Sequence, residues 1–126
     1  MLDSATAIAF LPSTDLDRSR TFFADLLGLV VQEVTPFACV LSAGGTMLRV
    51  TRVDDLRPQP FTVFGWDVPD LRAELAALVA AGVEFTRYDG VDQDADGVWS
   101  TPGGDLVAWF RDPDGNTLSL TQFAGR

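Results

Sequence analysis

The sequence predicts an α+β fold in which two similar strand-helix-strand-strand-strand modules pair to form a cupped mixed sheet around a central cavity. Three observations carry this. The stretch from Trp109 to Phe123 reads as a β-hairpin: two apolar-rich runs flank Asp112-Pro113-Asp114-Gly115, where Pro presets φ and Gly accepts the left-handed position that closes a turn. Two helical patterns each open on an Asp-Leu pair, at 15 and 70, and each close on a glycine, Gly28 and Gly82. The segment Gly45-Thr46-Met47-Leu48-Arg49-Val50-Thr51-Arg52 matches Gly115-Asn116-Thr117-Leu118-Ser119-Leu120-Thr121-Gln122 at an offset of 70. Two copies at this spacing mean a duplicated module rather than a solenoid, the second copy lengthened by a loop of about residues 89 to 105. One copy leaves a concave sheet face open, and two facing copies enclose a pocket.

In chain order, residues 5 to 12 suit a short strand that Pro12 ends. Ser13-Thr14-Asp15 offers N-caps to a helix carrying Leu16, Phe22, Phe23, Leu26 and Leu27. Strands follow near 29 to 35, 37 to 42 and 46 to 53, with Gly44-Gly45 as the last turn. Arg57-Pro58-Gln59-Pro60 breaks the pattern, so a single domain of residues 1 to 126 divides into modules of about 1 to 57 and 61 to 126 joined by a linker at 58 to 60. The second module opens on strand 61 to 68, and Asp70 caps a helix with Leu71, Leu75, Leu78 and Val79. In the closing hairpin, a turn centred on Pro113 and Asp114 sets Ser119 opposite Ala108 and Trp109 opposite Leu118. Ala108, Thr117, Ser119 and Thr121 then share a small polar face, while Trp109, Leu118 and Leu120 face a helix.

Composition excludes several chemistries. The chain has 126 residues, 47% of them hydrophobic, which suffices for a core, and no run of about 18 apolar residues suggests a membrane span. No basic region and long apolar block open the chain as in a signal peptide, so a cytoplasmic location is expected. The single Cys39 agrees with a reducing compartment. A net charge of −9 disfavours nucleic acid and anionic membranes as partners and mildly favours cationic ligands. There is no His, which removes a Ser-His-Asp triad and an imidazole base, and no Lys, which removes a Schiff base and the phosphate-binding Gly-Lys loop. Any chemistry must run on carboxylates, Tyr88, Cys39, Arg or hydroxyls.

At Asp15 to Leu29, at Asp67-Val68-Pro69-Asp70-Leu71 and at Phe110-Arg111-Asp112-Pro113-Asp114-Gly115-Asn116, the chain resembles the vicinal oxygen chelate superfamily, which contains glyoxalase I, extradiol dioxygenases and the bleomycin-resistance proteins. The resemblance implies paired βαβββ modules, a cupped sheet holding the active or binding site, and commonly a homodimer. It also implies four metal-ligand positions, which in this sequence are Ile8, Arg49, Val63 and Ser119. Two aliphatic groups, a guanidinium and a hydroxyl lack the carboxylate, imidazole or thiolate donors that a divalent cation needs, so no metal and no other cofactor is expected.

Strand alternation extends this set to a cavity inventory. If Ile8, Arg49, Val63 and Ser119 face the cup, so do Phe10, Met47, Thr51, Gly65, Asp67, Thr117 and Thr121, with Ala108 and Phe110 across the hairpin. Mostly apolar walls with a few convergent polar groups suit a small-molecule pocket. Arg49 either replaces the metal as a fixed cation that grips a ligand oxygen, with Asp67 as its partner, or snorkels from a strand edge to water; a one-residue register slip turns it outward. Trp66 and Trp109 are expected on the helix-facing side. Trp99 sits in a loop, Gly97 to Gly104, that either folds over the cup mouth to stack with Phe10, Phe37 and Phe110 on a planar ligand or merely anchors the loop.

Asp92-Gln93-Asp94-Ala95-Asp96-Gly97 matches half of a calcium loop, but Gly103 stands where a bidentate Glu belongs, so a solvated acidic loop is expected. Cys39 reads as a buried, inert thiol. Nothing in the pattern places Tyr88 and Asp89 at the cup. The expected function is a metal-independent, bleomycin-resistance-like binder that sequesters a small apolar or aromatic molecule, in a natural-product or drug resistance role. The alternatives are a metal-independent isomerase or lyase on a carbonyl compound, with Arg49 stabilising an oxyanion and Asp67 as base, or a divergent glyoxalase or dioxygenase.

Overall fold

The computed structural model describes residues 1–125, which fall into two compact units, Met1–Arg57 and Pro58 onward. The first contains β1 (Ile8–Ser13), α1 (Leu16–Arg20), a π-helical segment (Thr21–Leu26), β2 (Val30–Val34), β3 (Ala38–Ala43) and β4 (Thr46–Arg52). The second contains β5 (Phe64–Asp67), α2 (Leu71–Ala80), β6 (Trp99–Ser100), β7 (Leu106–Arg111) and β8 (Thr117–Gln122). Each builds one four-stranded mixed sheet, in the order β1-β4-β3-β2 and β5-β8-β7-β6. In both, the strand before the helix lies parallel to the last strand of the unit. The offsets read from the sequence are therefore offsets of structure: Phe10 pairs with Arg49, and Gly65 with Ser119.

Helix positions follow from their caps. The Asp15 carboxylate accepts the Arg18 N–H at 3.1 Å, and that of Asp70 accepts Ala73 N–H at 3.1 Å, each satisfying an amide with no partner inside its helix. Ser13 does not cap; it ends β1, past Pro12, and its hydroxyl bonds that of Ser19 at 2.6 Å with both residues buried. Pro12 is tolerated because β1 is an edge strand, where a missing N–H costs no ladder bond on the open side. The first helix widens over its second half, where Leu27 N–H reaches the Phe22 carbonyl, five residues back.

The core of the first unit is the sheet face under this helix: Leu11, Leu41, Leu48 and Phe23 are completely buried, with Cys39 and Val50 beside them. Each such aliphatic or aromatic side chain contributes about 1.5–3 kcal/mol. Burial pushes the Cys39 thiol above its usual range, as an inert thiol requires. In the second unit α2 packs on β7 and β8. There Leu71, Ala108, Phe110, Leu118 and Leu120 are buried, and Trp66 stacks on Phe110 with ring centroids 6.1 Å apart. Leu71 N–H also bonds Gln122 Oε1 at 2.9 Å, tying the start of α2 to the end of β8.

The closing hairpin differs from the sequence expectation by one residue. Its pairs are Trp109 with Ser119, Ala108 with Leu120 and Phe110 with Leu118. The connection has three residues, not two. Gly115 N–H bonds the Asp112 carbonyl at 2.9 Å, closing a turn, and Gly115 then takes φ 88° so that Asp112 N–H meets the Asn116 carbonyl at 3.1 Å. The Asp112 carboxylate locks this shape by accepting N–H groups of Asp114 at 3.0 Å and Asn116 at 2.9 Å, and the Asn116 side-chain amide at 2.8 Å. Burial pushes the Asp112 carboxyl above its ordinary value, against the pull of Asn116.

Candidate functional site

The face of each sheet that lies opposite its helix gathers the candidate residues. In the first unit the register puts Ile8, Phe10, Met47, Arg49 and Thr51 on one face together with Val40 and Ser42. Ile8 is 47% and Phe10 59% exposed, large values for aliphatic and aromatic side chains. Arg49 is half-buried on the second strand in, flanked by Phe10 on β1 and Val40 on β3. Its guanidinium makes no ion pair within this unit. Phe37, in the turn before β3, is 76% exposed.

In the second unit Gly65 and Asp67 on β5 share a face with Ser119 and Thr121 on β8. Val63 joins them at the start of the ladder, its N–H bonding the Thr117 carbonyl at 3.0 Å. A side chain at 65 would meet Ser119 Oγ at 2.7 Å, so glycine there is what lets β5 lie against β8 with the serine hydroxyl over it. Thr117 is spent on structure: its hydroxyl bonds the Gln59 carbonyl at 2.9 Å.

The three-residue turn corrects the inventory here. Ala108 and Phe110 do not line this face; both are completely buried on the opposite one, against Leu118 and Leu120. Trp109, expected under the helix, instead stands beside Ser119. Trp66 remains on the helix side with Leu120. Trp99 is not in an irregular loop but in β6, paired with Val107, and its ring stacks on Trp109 with centroids 6.2 Å apart and planes 21° apart. Tyr88 closes the group edge-on, 5.3 Å from the Trp109 ring and near perpendicular to it. Sequence reasoning left Tyr88 out because it lies in an aperiodic stretch; Gln93 positions it, accepting the Tyr88 N–H at 2.7 Å and donating to the carbonyls of Thr86 and Gly97.

Arginines cross-link the acidic loop. Asp94 Oδ1 accepts the N–H groups of Asp96 and Val98, and Oδ2 pairs with Arg72 at 2.8 Å. Arg87 takes the carbonyls of Asp94 and Ala95 at 2.7 and 2.6 Å. Two of the carboxylates that calcium would use, those of Asp94 and Asp96, are engaged by the Arg72 guanidinium. The N–H of Val98 and then Arg72 hold the Asp94 carboxyl below its ordinary 3.8.

The resemblance implies a metal, and its donors decide whether this chain can hold one. The four positions carry Ile8, Arg49, Val63 and Ser119, and among the described residues no three His, Cys, Asp or Glu side chains cluster. This donor set does not fit a divalent cation.

Two mixed sheets of this order, each with a helix on one face, define a duplicated α+β fold. Residues 5–120 match the family model described as the Glyoxalase/Bleomycin resistance protein/Dioxygenase superfamily, and the chain belongs to that superfamily. No curated protein sequence matches it. Among solved structures, it is similar to a bleomycin resistance determinant encoded on the transposon Tn5, at 24% identity and TM-score 0.75, covering 96% of this chain and 99% of that one. It is also similar to a lactoylglutathione lyase from Agrobacterium tumefaciens, at 20% identity and TM-score 0.71, covering 97% and 96%. A glyoxalase/bleomycin resistance protein/dioxygenase from Alicyclobacillus acidocaldarius matches at 17% identity and TM-score 0.70, covering 96% and 92%. At these identities the likeness is one of fold. No helix among the described residues is long and apolar enough to cross a membrane.

Proposed function

We propose that this protein is a metal-independent binder that sequesters a small apolar or aromatic molecule, as a cytoplasmic homodimer in a natural-product or drug resistance role. The observation that carries the reading is the chemistry of the four positions above: exposed Ile8 and Val63, a guanidinium without an ion pair in its unit, and a buried serine. Arg49 supplies a fixed positive charge on a mostly apolar face, suited to a ligand carboxylate, phenolate or carbonyl oxygen. The Tn5 determinant is named for bleomycin resistance, and the similarity of fold adds support. The enzymatic alternative needs Asp67 as a free base, but Asp67 is exposed at the end of β5 and already has an interaction partner.

A native mass spectrum of protein purified from its own host tests this. The expected result is a metal-free dimer carrying an extra organic mass, with Arg49→Gln lowering ligand retention about tenfold or more, the scale of a lost charge-assisted hydrogen bond. A stoichiometric transition metal would overturn the reading and restore the dioxygenase or glyoxalase alternative.

A further inference from the structure

We infer that the Tyr88 hydroxyl is the polar anchor of a ligand site on the second unit, donating to an acceptor oxygen of a planar aromatic ligand laid against Trp109 and Trp99. The inference deepens the sequestering reading and rests on it. Three aromatic side chains from three separate segments meet on the Ser119 face: Trp109 from β7, Trp99 from β6 and Tyr88 from the stretch before β6. The two indoles lie near-parallel at 6.2 Å, while Tyr88 stands almost perpendicular to Trp109. The indoles are offset-stacked, and the phenol meets Trp109 in a T-shaped arrangement. Trp109 and Trp99 are only half-buried, unlike Phe110 on the other face of the same strand, which is completely buried.

The Tyr88 hydroxyl is buried and has no hydrogen-bond partner among the described residues. A buried O–H without an acceptor is costly, and buried polar groups in folded proteins are nearly always hydrogen-bonded, so this hydroxyl is open to an acceptor supplied by a ligand. The same face offers the rest of a recognition site: the Ser119 hydroxyl next to Trp109, and the exposed positions Val63, just before β5, and Gly65 within it. A donor at the edge of stacked indoles selects a flat ring system that carries an acceptor, such as an aryl ketone, quinone or phenolate, over the bare hydrocarbon.

The test compares two near-isosteric probes, 2-acetylnaphthalene and 2-ethylnaphthalene, titrated against the full chain by tryptophan fluorescence, with thermal melts alongside. Wild type is expected to bind the ketone roughly fivefold more tightly, the worth of one hydrogen bond. Tyr88→Phe is expected to erase that preference, to leave 2-ethylnaphthalene affinity unchanged, and to keep or raise Tm because it deletes an unpartnered buried hydroxyl. Trp109→Ala is expected to weaken both probes. A ketone preference that survives in Tyr88→Phe overturns the anchor. Failure of both probes to bind, with an organic mass still co-purifying, overturns the aromatic site and leaves sequestration standing; failure with no co-purifying mass overturns both.

Discussion

Gly65→Ala probes how closely the first strand of the second unit approaches the last. The added methyl carbon would lie 2.7 Å from Ser119 Oγ, 3.0 Å from the Ser119 carbonyl oxygen and 3.7 Å from its carbonyl carbon. The hydroxyl can rotate away. The carbonyl oxygen cannot, because the ladder between β5 and β8 holds that backbone. Relief requires the strands to part by a few tenths of an ångström, and overpacking of this kind costs about 1–3 kcal/mol. Urea unfolding should report that loss as a lower midpoint with an unchanged slope. The same substitution in a Ser119→Ala background removes the closer contact and keeps the backbone one. Its cost should fall by about 0.5–1 kcal/mol without vanishing, a coupling that a double-mutant cycle resolves. Equal cost in both backgrounds, or a cost below about 0.5 kcal/mol, would refute the packing of Ser119 over Gly65.

Two further perturbations address stability. Phe23→Ala empties the centre of the first unit's core, where this ring is completely buried and meets Phe22 edge-on at 5.1 Å, and should cost about 3–5 kcal/mol in urea unfolding. Asp94 ties the loop before β6 to α2, and its carboxyl lies below its ordinary 3.8 in the folded chain. Its contribution is therefore present above that value and lost as pH falls through the lower folded one, so Asp94→Asn should flatten the acid limb of stability below about pH 4. An acid limb identical in wild type and Asp94→Asn would show that the contacts of the Asp94 carboxylate with the Val98 N–H and Arg72 contribute nothing.

The fold was legible because its signals are local and repeated. Asp15 and Asp70 cap their helices, and the match between Gly45 to Arg52 and Gly115 to Gln122 marks equivalent strands, β4 and β8. The faces of β1, β4 and β5 followed from alternation. The hairpin face did not, since side-chain direction there depends on whether the turn holds two residues or three, and one residue exchanges Trp109 for Ala108 and Phe110. Gly at the fourth place of Asp-Pro-Asp-Gly was the available signal: a type I turn followed by a left-handed residue makes a three-residue loop. Tyr88 had no such signal, because Gln93 and a two-residue strand place it rather than any periodic pattern.

The π-helical segment of the first unit carries a consequence of its own. From Asp15 to Gly28 the chain takes thirteen steps, and from Asp70 to Gly82 it takes twelve. The extra residue coincides with the wider turn in which Leu27 reaches back five places to Phe22. The helix of the first unit thus takes up one residue more than its counterpart in a wider turn. Because the bulge takes up the added length, the cap before it and the strands after it keep their frame, and Phe10 still meets Arg49 as Gly65 meets Ser119. The helix can therefore differ in length between the two units while the strand pairing on either side of it stays equivalent.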